Sequence, residues 1–381
     1  MNKKIILPIA IIAIILLAIL TANFSGLITL NNSNEYVIGS IMPLSGDAAA
    51  FGLPFEKTVN LAVNEINENG GINGKQLKVI FEDSKCTNKD AVDSVNKLIN
   101  INNVKIIIGG ICSGETLAAA PIAEKNKIIL FSPASGSPDI TFSGDYIFRN
   151  TASDAYSGKK IAEAIIKNNQ RKLAIITENS DYALAISRVF KEEYKKLGGE
   201  ILIEEKFNSD VTDFKTIVTK IINTNPDAIY LIPQTPKSLT ILLKELKENN
   251  YTGQLYGNEY TRSKEVLKDY ATEAEDIIFA EPEFDENSPL TKELLDKLKN
   301  NNIDLSFPSY QTKVYDSVYI IKEAIEKCKT DRDTDCIKNH LYGIKDRLGT
   351  DGFLTINENG DAEVNYQLKI IKNGEVVIYN N

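Results

Sequence analysis

A chain of 381 residues exceeds what a single hydrophobic core usually organises, so two lobes or domains are expected. Hydrophobic residues make up 43% and charged residues 25%, enough for a globular core, while the net charge of −9 disfavours nucleic acid and anionic membrane surfaces as partners. A single histidine, His340, leaves His-based metal sites and general-base chemistry without the converging imidazoles they need.

Lys3 and Lys4 precede an apolar run over 5–20, the arrangement of a secretion signal with its positive start and hydrophobic centre. Residues 21–30 stay mostly apolar and carry only a weak small-residue cleavage site near Ala22. Residues 1–30 therefore read either as a signal peptide or as an N-terminal membrane anchor. Both place the rest of the chain outside the cytoplasm, and lipid attachment is not expected because no cysteine directly follows the run.

From Tyr36 onward, short β-branched runs alternate with longer amphipathic segments, the pattern of parallel sheets covered by helices on both faces. Strands are expected at 36–41, 77–82, 105–109 and 128–131, with helices at 55–69, 89–101 and 116–126 between them. After 146–150 the plan repeats: helices at 155–168, 182–197, 213–223 and 237–249, and strands at 172–177, 200–206, 227–232, 254–256 and 276–280. Two helical patterns without intervening strands, 288–301 and 309–327, suit packing back on the first unit. The tail reads as hairpin strands around turn dipeptides, at 352–356, 364–371 and 376–379.

The expected fold is α/β, with two Rossmann-like lobes and a clamshell cleft between them. The first lobe takes 36–150 and 281–351, and the second takes 151–280 and 352–381, with the C-terminal strands crossing near the hinge. No long linker separates the lobes, and the carboxyl ends of strands in open α/β sheets, where ligands bind, face such a cleft.

Cys86, Cys112, Cys328 and Cys336 form an even set in an exported chain, so disulfides are permitted. Pairing neighbours is the simplest scheme; a bridge from Cys86 to Cys112 closes a loop of about 27 residues and contributes on the order of 3 kcal/mol. A four-thiolate zinc site is the rival, but its ligands normally come as close CxxC pairs, and neither pair has that spacing. Catalytic signatures are missing: there is no nucleophile elbow, P-loop, dinucleotide fingerprint or HExxH. Small polar turns instead follow three predicted strands, at 43–46, 110–114 and 132–138. Such turns expose backbone amides at helix N-termini, which favour an anion such as a carboxylate. Taken singly, Ser113, Thr116 and Ser135 read as helix caps; their joint placement at successive strand ends of one sheet points to binding.

These features come together in a family resemblance. The stretch IGSIMPLSG at 38–46 with Phe51-Gly52, NGGING at 69–74, EDSKC at 82–86, IGGICS at 108–113, Ser132-Pro133, Phe148-Arg149, Asp181-Tyr182 and Gly257-Asn258-Glu259 resemble the branched-chain amino-acid (leucine/isoleucine/valine) binding proteins of ABC importers. The resemblance covers 36 to the C-terminus and implies the type I periplasmic binding protein fold, ligand capture rather than catalysis, no cofactor, a monomer, and an ABC permease in the membrane as partner; a sensory or receptor ectodomain of the same fold, or capture of an amide or other small solute, is the alternative. It implies that an amino acid's carboxylate meets Ser113 and the turn around Ala134, Ser135 and Gly136, where Gly136 stands at a position that often holds threonine. Glu259 would take the α-ammonium. Tyr182, Phe51 and Tyr310 would line the cleft, while a tyrosine common in the second-lobe wall is replaced near Gln234 and Thr235. The resemblance also implies a Cys86 to Cys112 bridge.

Overall fold

The computed structural model describes residues 34–380; the segment 1–30, read as signal peptide or anchor, lies outside the described residues. Among the described residues, no helix is long and apolar enough to cross a membrane. The first lobe is built on β1 (Glu35–Met42), β2 (Gln76–Asp83), β3 (Ile106–Ile108), β4 (Ile129–Ser132) and β5 (Ile147–Arg149), all parallel in the order β2-β1-β3-β4-β5. Crossovers α1 (Ala49–Glu68), α2 (Asn88–Asn100) and α3 (Ser113–Lys125) cover it. β3 and β4 are buried along their whole length, which is why they read as continuous apolar runs rather than alternating ones. One face packs Ile38, Phe55 and Phe131 together, and the other packs Ile41, Leu98, Ile107 and Leu130. The start of α2 is fixed by Thr87, whose hydroxyl accepts the Asp90 amide at 3.0 Å.

The second lobe repeats the plan with α4 (Ala155–Lys167), β6 (Lys172–Glu178), α5 (Asp181–Lys196), β7 (Glu200–Phe207), α6 (Lys215–Asn223), β8 (Ala228–Ile232), α7 (Pro236–Glu248), β9 (Gln254–Gly257), α8 (Lys264–Asp269) and β10 (Ile278–Pro282). The chain then returns to the first lobe through α9 (Pro289–Asn300) and α10 (Pro308–Cys328), whose Leu294, Leu298, Val314 and Val318 join the first core. A further helix, α11 (Thr334–Tyr342), follows. A short hairpin of β11 (Arg347–Gly349) and β12 (Gly352–Leu354) comes next. Finally β13 (Tyr366–Lys372) attaches antiparallel to β10 and β14 (Glu375–Ile378) antiparallel to β13, completing a sheet in the order β14-β13-β10-β9-β8-β6-β7. Their turn, Asn373-Gly374, holds both residues at positive φ (53° and 76°), as a two-residue hairpin loop requires.

The tail divides differently from the sequence expectation. Ile356 is buried in the first core, the Gly360 carbonyl accepts the Arg149 amide at 2.9 Å, and Asp361 pairs with Arg149 at 2.6 Å. The chain as far as Asp361 is thus packed on the first lobe, and only β13 and β14 join the second sheet. Both neighbour disulfides are present: Cys86–Cys112 with Cα atoms 5.5 Å apart, and Cys328–Cys336, which ties the end of α10 to α11, at 6.0 Å. The sulfurs of Cys86 and Cys112 lie near the Glu115 carboxylate, but in a disulfide they offer no thiolate to a metal.

Candidate functional site

Carboxyl ends of strands from both sheets meet at a small cavity of about 30 Å³ between the lobes. It is lined from the first lobe by Phe51, Ser113, Ala134 and Tyr310, and from the second by Tyr182, Gln234, Glu259 and Tyr260, among others. The lobes also touch along the cleft rim: the Asn88 amide donates to Asp181 at 3.1 Å, Lys237 pairs with Asp47 at 3.1 Å, and Arg188 pairs with Asp139. These rim pairs are about half exposed, so each adds little to stability.

The first-lobe wall is held from behind. Glu115, in the first turn of α3, is buried and accepts the Ile111 amide at 2.8 Å and the amides of Cys112 and Cys86 at 2.9 Å each, as well as the Ser84 hydroxyl. Burial pushes its carboxyl up to about 7, against the pull of those four donors. One side chain thus joins the two loops that the Cys86–Cys112 bridge also joins, and between them they set the position of Ser113 at the start of α3. The Ser113 hydroxyl accepts the Ser137 amide at 3.1 Å. The 132–137 turn is fixed by Arg149, fully buried, which donates to the carbonyls of Ser135 (3.0 Å) and Ser137 (2.9 Å).

Two residues expected in the cleft do not line it. Ser135 points inward, donating to the Gly110 carbonyl at 2.8 Å and sharing a hydrogen bond with Thr116 at 2.7 Å, so its hydroxyl is spent on tying its turn to the neighbouring one. Gly136 stands against Asp154: a Cβ there would collide with the Asp154 carboxylate, which fills the space a larger residue would need. The other six, Phe51, Ser113, Ala134, Tyr182, Glu259 and Tyr310, are brought together around the cavity.

In the second lobe, Glu259 opens a short 3₁₀ turn (Glu259–Arg262) directly after β9, and Tyr182 lies in the first turn of α5. The Tyr182 hydroxyl donates to the Glu259 carboxylate at 2.6–2.7 Å. Asn258 braces the pair, donating to the Pro233 carbonyl at 2.6 Å and to the Tyr182 oxygen at 3.3 Å. Burial first, and then the nearby Asp154, push the Glu259 carboxyl up to about 8. Asp154 accepts the Tyr366 hydroxyl at 2.7 Å through one oxygen; its other oxygen is buried with no hydrogen-bond partner among the described residues, and burial pushes this carboxyl up to about 6. Burial likewise holds the Tyr182, Tyr260 and Tyr310 phenols well above their ordinary range. The second wall therefore offers a buried acid, Glu259, whose charged form is costly unless a cation faces it.

Between these polar ends the cavity is apolar. Phe51 stacks on Phe307 with ring centroids 4.2 Å apart, and Tyr260 meets Phe51 edge-on at 5.5 Å, across the cleft. Sequence reasoning missed Tyr260, Glu115 and Asp154. Tyr260 had a signal, since it follows Glu259 in the same turn; Asp154 and Glu115 had none, because an isolated acidic residue reads as solvated until the fold buries it.

Comparison with known proteins adds a lineage to this geometry. Residues 35–372 match the family model described as periplasmic binding protein. The chain is 27% identical to the leucine-, isoleucine-, valine-, threonine- and alanine-binding protein of Pseudomonas aeruginosa, over 84% of this chain and 85% of that one. Among solved structures it is similar to the branched-chain amino acid transporter substrate-binding protein LivJ of Streptococcus pneumoniae in complex with isoleucine. That likeness has a TM-score of 0.80 at 30% identity and covers 90% of this chain and 97% of that one. It shares its fold with a leucine-binding protein, LivK, of Thermotoga maritima, with a TM-score of 0.83 at 24% identity over 91% of this chain and 98% of that one.

Proposed function

The chain belongs to the periplasmic binding protein family, and on that premise we propose that it is an extracytoplasmic amino-acid-binding protein that hands its ligand to an ABC permease. The ligand is an amino acid with an apolar side chain of the leucine, isoleucine and valine type. The chain works as a monomer outside the cytoplasm, and its function is capture without chemical change. The observation that carries the reading is Glu259, a buried carboxylate tied to Tyr182 in the same cavity wall and facing a cavity that Ser113 also lines.

In this reading the ligand's carboxylate meets the Ser113 hydroxyl at the start of α3, where free amides and the helix dipole favour an anion. The ammonium meets Glu259 and supplies the cation that its buried carboxyl lacks; the buried Asp154 oxygen behind Gly136 adds to the negative field at that end. The side chain lies against Phe51, Tyr260 and Tyr310. Ligand contacts come from both lobes, so the ligand favours the closed arrangement by the contacts it gains only on closure. Calorimetric titration with leucine, isoleucine and valine tests the reading. Binding of at least one of them supports it; silence with all three, alongside binding of an amide, a sugar or an aromatic acid such as benzoate, would overturn the ligand class.

A further inference from the structure

One polar group in the cavity has no place in this scheme. Gln234, in the turn between β8 and α7, lines the cavity together with the Cys86–Cys112 disulfide. Its side-chain amide donates to the Cys86 sulfur at 3.4 Å, a contact that crosses from the second lobe to the first. Gln234 and Cys86 also line a separate polar space of about 530 Å³ at the cleft mouth, so this contact forms part of the partition between the cavity and the outer space.

Two features make this amide a recognition group rather than filler. Its backbone is anchored: the Gln234 amide N–H donates to the buried Glu178 carboxylate at 2.7 Å, and Thr235 caps α7 by accepting the Ser238 amide at 3.2 Å. Its side-chain donor is bound only weakly, because a disulfide sulfur is a poor acceptor and the contact is long. An oxygen from a ligand would outcompete it, whereas the Tyr182 hydroxyl is already committed to Glu259.

We propose that Gln234 is a specificity-determining residue whose side-chain amide donates to the tip of the ligand's side chain. The cleft therefore takes amino acids ending in an oxygen acceptor, a hydroxyl or a carboxamide, alongside their aliphatic isosteres. The inference rests on the amino-acid reading above. A pocket that merely tolerates a hydroxyl discriminates weakly between isosteres, whereas one that supplies its partner changes the ratio sharply when that partner is removed.

The experiment is a calorimetric titration of the full chain and of Gln234→Met with two near-isosteric pairs, threonine against valine and asparagine against leucine. The expected result is that the preference for the aliphatic member rises at least tenfold in Gln234→Met for one or both pairs, with leucine binding tightened severalfold. Should Gln234→Met fail to fold, Gln234→Leu, which likewise removes the donor without adding an acceptor, reads out the same ratios. Aliphatic binding with both ratios unchanged within about twofold overturns this inference and leaves the amino-acid reading standing. If none of the four ligands binds the unmodified protein, both readings fall.

Discussion

The two walls of the cleft are built on opposite principles. The first-lobe wall is locked: a disulfide, the buried Glu115 with three backbone amides on it, and the Arg149–Asp361 pair behind the 132–137 turn all fix a hydroxyl and a helix start. The second-lobe wall carries a buried acid and is held more lightly, with Glu259 and Tyr182 bound mainly to each other. The difference teaches how the work divides. A preorganised wall receives the ligand's anionic end at little conformational cost, while the wall bearing a buried acid gains most from closing on a cation.

Removing the lock should produce the largest effect. Replacing Cys86 and Cys112 together by alanine opens a loop with a sequence separation of 26, which the chain-entropy model values at ~3 kcal/mol; a lowered midpoint of urea denaturation measures it. Glu259→Gln leaves the first wall intact and removes the ionisable acid from the second. Amino-acid affinity should fall more than tenfold, in line with the ~1.5 to 3 kcal/mol of a hydrogen bond to a charged group, with the melting temperature of the ligand-free protein not lowered.

The buried acids also predict a pH dependence. Glu259 and Asp154 have carboxyls pushed up to about 8 and about 6, and Glu115 in the locked wall to about 7. In the unfolded chain such groups titrate at about 4, so between about pH 4 and pH 8 the folded state holds more protons than the unfolded one. Their contribution to stability is complete below that window and is lost as pH rises through it. The melting temperature of the ligand-free protein should therefore fall by several degrees from about pH 5 to about pH 8, and Glu259→Gln should flatten that slope. A saturating amino acid should flatten it too, by supplying the cation. Ser113→Ala should have the smallest effect, less than tenfold on affinity, because backbone amides at the start of α3 still serve the carboxylate; titration calorimetry measures it.

Much of this was legible in the sequence because parallel sheets covered on both faces impose long apolar runs such as Ile106–Ile108 and Ala228–Ile232. The helix α11 was not, since Thr334–Tyr342 mixes polar and apolar residues and its start depends on Asp333, whose carboxylate accepts the Cys336 amide at 3.0 Å. The allocation of the tail also escaped, because a strand pattern does not say which sheet a segment will join; Ile356 and Asp361 were claimed by the first lobe. At the site, residues carried by a motif were found, whereas the direction of a hydroxyl was not encoded. Ser135 and Ser113 sit in similar turns, yet one bonds the neighbouring 110–114 turn and the other lines the cavity. Asp154 lies far from Glu259 in sequence, so their electrostatic coupling is visible only in the fold.

The most direct test compares leucine with its deaminated analogue, 4-methylpentanoate, by calorimetric titration of the unmodified protein and of Glu259→Gln. The account predicts that the unmodified protein binds leucine and prefers it to the analogue by more than tenfold, and that Glu259→Gln removes most of that preference. Equal binding of the two ligands by the unmodified protein would contradict the role given to Glu259 and, with it, the amino-acid reading of the cleft.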